Sequence, residues 1–384
     1  MRFPNMYILG SGFSKNAGLP LGTEIFGQIL SEAKKTILYG NIIKRDMGKF
    51  IDFCQHGKGM NVNEADVELE QFISFLDIEH YLKLAGKDHW SDSGNKTQHA
   101  IKNIIARLLY CSREKISNWE LYEAYGRSLL PGDIIITFNY DTLLETVLDS
   151  IGRSYVFSPD EFRLYCNDPN RDRPILILKL HGSLDWYSIT PYKSRLQVSM
   201  NSQDQYWEHK HPIFSFSHEW KITRAFPYLD NKESALANIY RVDDVLSLQT
   251  ETPSVTESPY VVSPSYSKIV YLNEIIDLWF GLSGWGNHCS TLTIIGFSLP
   301  EHDEYVRQVI YNIVENYLDT EDLKGIYTKP PLRFVDKISS ERDEERLRQR
   351  YPFIEFGKST VFKNGFGMEC ILTEDELKEQ EIKS

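Results

Sequence analysis

Along this chain, short and mainly apolar runs alternate with stretches in which apolar residues recur every three or four positions. The first run, residues 6–9, breaks at once into Gly10-Ser11-Gly12. Four more follow at 134–137, 175–180, 291–295 and 332–335. Each is too short for a helix and is bounded by turn-forming or polar residues, so each predicts a buried strand. Between them the spacing is helical. Thr23 reads as the cap of a helix carrying Ile25, Phe26, Ile29, Leu30, Ala33 and Ile37. A second is expected from about Asn63, with Val67, Phe72, Ile73, Leu76, Leu82 and Leu84 on its buried side. Further helices are expected over 100–110, 142–151, 272–280 and 304–317. Two more lie near the carboxyl end: a helix of interleaved charges at 340–350 and an acidic amphipathic one at 373–384. Strands alternating with helices predict an α/β fold with a parallel sheet.

The pattern also suggests how the chain is divided. Residues 1–20 and 131–338 hold the strands and read as the core, with 21–130 as an inserted helical module. Over 187–258 regular spacing fades into an aromatic and polar stretch, read as an insertion with a mobile end. Residues 339–384 read as a C-terminal extension.

Composition narrows the class. At 384 residues with 41% hydrophobic and 25% charged, the chain can bury a large core as an ordinary soluble protein. Its formal net charge of −12 argues against broad, non-specific nucleic-acid binding. No run approaches the ~18 apolar residues of a membrane span, and the opening Met-Arg-Phe-Pro-Asn is too short and polar for a signal peptide. The five cysteines are scattered, with no C-x-x-C pair, which speaks against a disulfide framework and a cysteine zinc site. A cytoplasmic protein is expected.

Candidate chemistry gathers at the strand ends. Parallel sheets bind ligands beyond the carboxyl ends of their strands. There this sequence places Gly10, Ser11, Gly12, Phe13 and Ser14, then Asn139 and Asp141, then His181, then Gly296 and Ser298. The glycine turn is expected to cradle a phosphate with free amides. Asn139 is expected to face the ligand, and Asp141 to share in capping the following helix. An imidazole at a strand end, with an ordinary pKa of ~6.5, suits proton transfer near neutrality. Plainer readings stand beside these: a tight turn, a core histidine, Asp303 as a helix N-cap, Lys268 as a solvated lysine. His209, His211 and His218 match no metal spacing, so no metal is assigned. Trp207, Phe214, Phe216 and Trp220 read as packing of the insertion rather than a base-stacking platform. The sum is a Rossmann-like parallel sheet. Lys15 stands where a dehydrogenase fingerprint continues toward its third glycine, which weakens a hydride-transfer reading.

Four segments resemble the sirtuin family, in the family's order. They are Gly-Ser-Gly-Phe-Ser-Lys-Asn-Ala-Gly-Leu-Pro (10–20), Thr-Phe-Asn-Tyr-Asp (137–141), Lys-Leu-His-Gly-Ser-Leu-Asp-Trp (179–186) and Gly-Phe-Ser-Leu-Pro (296–300). The resemblance implies NAD as substrate. The 10–14 turn would hold its diphosphate, Asn139 and Asp141 would stand near the nicotinamide ribose, His181 would be the catalytic histidine, and Gly296 with Ser298 would meet the adenosine half. The form of the last two segments is similar to a bacterial sirtuin-like branch. That branch implies NAD hydrolysis to nicotinamide and ADP-ribose by an effector of anti-phage defence. Its activity would be gated by homo-oligomerisation or by a separate subunit such as a HerA-like ATPase. The four-cysteine zinc module of protein-deacylating sirtuins is missing, so no zinc is expected. A sensor that binds NAD or a derived nucleotide without cleaving it, and a zinc-less deacylase, are the alternatives. Cyclisation of the ADP-ribose product stays open.

Overall fold

The computed structural model describes residues 3–371 apart from 36, 85–93, 114, 169, 191–212, 214–220, 230–233, 252–257, 267, 302 and 320–328. In chain order the described strands are β1 (Asn5–Leu9), β2 (Ile134–Thr137), β3 (Tyr155–Val156), β4 (Ile175–Lys179), β5 (Trp186–Ser188), β6 (Ile222–Arg224), β7 (Ile239–Val242), β8 (Thr291–Ile295), β9 (Arg333–Val335) and β10 (Thr360–Phe362). The described α-helices are α1 (Ser11–Lys15), α2 (Gly22–Ala33), α3 (Ile37–Asp52), α4 (Leu69–Tyr81), α5 (Lys96–Arg113), α6 (Trp119–Ser128), α7 (Leu143–Ser150), α8 (Pro159–Asn167), α9 (Val245–Glu251), α10 (Glu304–Leu318) and α11 (Glu341–Arg350). The chain forms two units: Met1–Leu21 with Lys115–Leu180 and Ile276–Ser384, and Gly22–Glu114 with His181–Ile275.

The first unit is built on a seven-stranded sheet in the order β10-β9-β8-β1-β2-β4-β3. Every pairing in it is parallel. This is the expected α/β, Rossmann-like sheet. Continuous apolar strands are what a sheet covered on both faces requires, and Ile134, Ile135, Ile136, Leu176, Ile177 and Leu178 are all buried. Each such side chain contributes roughly 1.5–3 kcal/mol. Helix α10 buries Val306, Ile310, Ile313, Val314 and Tyr317, one stripe at helical spacing. Helices α6 and α7 pack closely because Gly126 carries no side chain; a Cβ there would lie 3.0 Å from Val147 Cγ1 and Ile151 Cδ1.

At the amino ends of the strands, the Asp133 carboxylate accepts hydrogen bonds from Asn5 N (2.9 Å), Asn5 Nδ2 (3.3 Å) and Leu130 N (2.9 Å). Thr291 Oγ1 in turn donates to Asn5 Oδ1 at 2.9 Å. One buried carboxylate network therefore ties the starts of β8, β1 and β2.

In the second unit, α2, α3 and α5 pack on one another, α4 joins α3 and α5, and α9 lies on α5. Strands β5, β7 and β6 form an antiparallel sheet in that order. Tyr187, Ile189, Ile213, Tyr240, Val242 and Leu248 make a core cluster there, with Ile222 against it.

Several expectations change. The helix predicted across Ile37 is two, α2 and α3, and α2 starts at Gly22, so Thr23 lies inside it. Residues 63–84 hold a short turn of 3-10 helix, Glu64–Asp66, and then α4. Over 272–280 the helical spacing gives only the 3-10 turn Ile276–Leu278, followed by Leu282–Gly286. Residues 119–128, inside the expected 21–130 module, form α6 in the sheet-bearing unit. The strand at 332–335 is not the last, because β10, in the expected C-terminal extension, pairs with it and forms the sheet edge. Helix α11 forms as expected, with Ser340 Oγ accepting from Asp343 N at 3.2 Å. The predicted 373–384 helix lies outside the described residues, as do His209, His211, His218, Trp207, Phe214, Phe216 and Trp220.

Candidate functional site

Strand β1 is central, with β2, β4 and β3 on one side and β8, β9 and β10 on the other. The strand order thus reverses between β1 and β8, the position where such sheets open a crevice for ligands. The glycines sit there for a reason that packing supplies. Gly10 N donates to Ile295 O (3.0 Å) and Gly12 N to Gly296 O (2.9 Å). A Cβ on Gly10 would lie 2.5 Å from Gly296 O, and one on Gly12 2.6 Å from Gly296 Cα. Gly296 has φ +57°, and its own Cβ would fall 2.5 Å from Phe13 N. Two backbones meet with no room for side chains.

This alters the expected cradle. Ser11–Lys15 is a short helix, α1, rather than a loop, and the amides of Gly10, Gly12 and Phe13 are spent inside the protein, the last on Gly10 O at 3.0 Å. Phe13 is committed to the core, its ring 5.4, 5.2 and 4.8 Å from Tyr122, Tyr125 and Phe366. Its carbonyl accepts from Tyr122 Oη at 2.8 Å. Ser11 is half-buried and Ser298 exposed. Leu299, beside Ser298, is fully buried with φ +45°, a left-handed backbone uncommon outside glycine.

From β2 comes the group that organises the site. Asn139 Nδ2 donates to Gly10 O at 2.9 Å and to Ser14 Oγ at 3.3 Å. Ser14 Oγ donates to Asp141 Oδ2 at 3.0 Å, and Asp141 Oδ1 accepts from Leu143 N at 3.1 Å, capping α7. Asn139 is fixed through its nitrogen, and its Oδ1 has no donor among the described residues. Beneath them, Lys179 Nζ donates to Asp141 O at 2.5 Å and to Glu145 Oε1 at 2.7 Å. The Lys179 and Glu145 side chains are 0% and 4% exposed. Phe138 and Phe297 stack at 4.5 Å, Trp279 lies 6.2 Å from Phe138, and Tyr305 lies 5.2 Å from Trp279. The structure therefore gathers Gly10, Gly12, Ser14, Asn139, Asp141 and Gly296.

Lys179, Glu145, Trp279 and Tyr305 were not anticipated. Lys179 had a signal, since a lysine closing an Ile-Leu-Ile-Leu strand must find a counter-charge. Asp303 occupies the N-cap position of α10, but its side chain makes no capping hydrogen bond.

In the second unit, His181 is buried, and its backbone carbonyl accepts from Val262 N at 2.9 Å. Burial, and then the Lys268 ammonium, hold its imidazole well below the usual 6.5, so it is neutral at physiological pH. Lys268 is itself buried, contrary to the solvated lysine expected. Gly182, with φ +81°, follows because a Cβ there would collide with Tyr260 O. Ser183 Oγ donates to Asp185 Oδ1 at 2.5 Å, and Arg241 Nε to Asp185 Oδ2 at 2.9 Å. Among the described residues no three His, Cys, Asp or Glu side chains are grouped to hold a metal ion. No described helix is long and apolar enough to cross a membrane.

Residues 133–227 match the model of the SIR2-like domain family. No curated protein matches the chain. Among solved structures, it is similar to one described as the structural basis for the mechanism and regulation of Sir2 enzymes, at 12% identity over 99% of this chain and 94% of that one, with a TM-score of 0.34. It is also similar to Sir2Tm bound to a propionylated peptide (12% identity, 99% and 94% coverage, TM-score 0.30) and to a structure on sirtuin substrate affinity (13% identity, 98% and 93% coverage, TM-score 0.32). The segment that matches the SIR2-like family model, residues 133–227, carries Asn139, Asp141 and His181.

Proposed function

We propose that this chain hydrolyses NAD to nicotinamide and ADP-ribose. The observation that carries the reading is Asn139, in the SIR2-like segment, pinned through its nitrogen by Gly10 O and Ser14 Oγ. That pinning leaves the amide oxygen as a fixed acceptor at the crevice end of the sheet. When the nicotinamide–ribose bond breaks, its electron pair leaves with nicotinamide and positive charge grows on the ribose. An acceptor already aimed at a ribose hydroxyl or the attacking water stabilises that charge without reorganising. The water oxygen bonds to the ribose carbon, and its proton passes to a base, for which His181 is proposed. A neutral imidazole is in the right state to accept it. Asp141, Ser11, Ser298 and Gly296 are proposed to complete the dinucleotide site.

The finer reading follows from the same motifs. The chain is proposed to be the NAD-depleting effector of a bacterial anti-phage defence system, gated by self-assembly or by a HerA-like ATPase subunit. The low proton affinity of His181 favours one rival, a module that binds NAD without cleaving it.

The test is release of nicotinamide from NAD by purified protein, with and without a candidate partner chain. Asn139→Ala and His181→Ala should each lower turnover by about 10²–10⁴-fold while NAD binding persists. Tight binding by the parent protein with no nicotinamide release in any mixture would establish the sensor instead. Release only when an acyl-lysine peptide is added would establish a deacylase.

A further inference from the structure

The sheet-bearing unit has a recess at the amino ends of the strands, and so at the opposite edge of the sheet from Asn139. Its volume is about 670 Å³, within the range of small-molecule sites. Most of its surface is apolar, supplied by Phe3 and Pro4 before β1, Ile134 at the start of β2, Phe162 on α8, and Trp285. The Phe162 and Trp285 rings pack on each other, 6.3 Å apart at 31°, and together offer one aromatic surface to a flat hydrocarbon body.

Its charges are the unusual part. In a chain of net charge −12, the ionisable groups around this recess are Arg163, Arg173, His288, Cys166 and one carboxylate, Asp133. Asp133 is already occupied by the three donors that tie the strands together. Burial raises the Cys166 thiol above its usual pKa, against the opposing pull of the Arg173 charge, and so disfavours the thiolate. Arg163 is exposed and paired with Asp160 at 3.1 Å. Arg173 differs: it is half-buried, its stem lies 3.5 Å from where a Cβ on Gly132 would stand, and it has no hydrogen-bond or ion-pair partner among the described residues. A half-buried guanidinium beside an aromatic surface lacks the anion that its donors are shaped to bind.

We propose that this recess is a binding site for a small organic anion with a flat apolar body, its carboxylate held by Arg173 and its body against the apolar surface that Phe162 and Trp285 supply. The ligand binds reversibly, since no group in the recess is placed for chemistry. Because Asp133 ties β1 to β2 at the floor of the recess, occupancy also stabilises the sheet.

The probe is 1-naphthoate, with neutral 1-naphthamide as its control, titrated calorimetrically into the full chain. The carboxylate is expected to bind one site per chain at least about tenfold more tightly than the amide, the contribution of one charge-assisted hydrogen bond. Arg173→Gln, which removes no hydrogen bond or ion pair among the described residues, should erase that difference, and Cys166→Trp, which fills the recess, should abolish binding of both probes. Arg173→Lys, which keeps the charge and loses the fork, should fall between and serves if Arg173→Gln misfolds. Equal affinity for the two probes, undiminished naphthoate binding by Cys166→Trp, or no saturable binding would overturn the proposal.

Discussion

Lys179 and Glu145 form an ion pair with almost no access to water, and the lysine also holds the carbonyl of Asp141. Such a pair is poor at adding stability but costly to break, because the surviving charge is stranded. Lys179→Met should therefore destabilise the protein by about 3–5 kcal/mol, whereas Lys179→Met with Glu145→Leu should recover most of the loss. Urea denaturation of the three proteins checks this; a double variant no more stable than the single one would mean that the Asp141 contact, not the stranded carboxylate, dominates. The polar residues at strand ends, Asn139 and His181 among them, could be found in the sequence because each interrupts an apolar run. What Lys179 and Lys268 do could not, since each depends on a group distant in sequence. Lys268 read as solvated for want of any neighbour to bury it.

At the scale of elements, the turns that follow β1 and β8 meet with no space for a side chain. Gly296→Ala adds both a collision with the Gly12 and Phe13 backbone and a strained φ. It should lower the melting temperature sharply, while Gly284→Ala, where a Cβ meets nothing, should leave it within a degree or so. Helix α8 makes a different prediction. Burial pushes the Glu161 carboxyl from 4.5 up to about 7. The unfolded chain releases this proton before the folded one does, so stability falls as pH rises from about 4.5 to about 7 and stays reduced above that. Glu161→Gln should thus raise the melting temperature at about pH 8 and leave it unchanged near the unfolded-state pKa; scanning calorimetry at both ends decides it. Among elements, the four- and five-residue apolar strands were legible because their composition leaves no alternative. The two-residue β3 and three-residue β10 were not, for runs that short are defined by the neighbour they pair with. The helical spacing at 272–280 likewise gave way to 3-10 turns, as tertiary context overrides local periodicity.

For the molecule as a whole, the sheet was legible as a class and its partition was not. Residues 22–114 and 181–275 make one unit from two separated stretches, and the chain passes between units at Leu21, Glu114, Leu180 and Ile275. No composition shift marks those points. The central place of β1 has a consequence for how the protein is made. It leaves the ribosome well before its two neighbours, which begin at Ile134 and Thr291. At ordinary elongation rates one edge of it waits on the order of tens of seconds for β8. Through that interval Met-Tyr-Ile-Leu is an uncovered apolar edge, open to pairing with other nascent chains. Soluble yield should therefore respond to translation speed and chaperone supply more than to the stability of the finished fold.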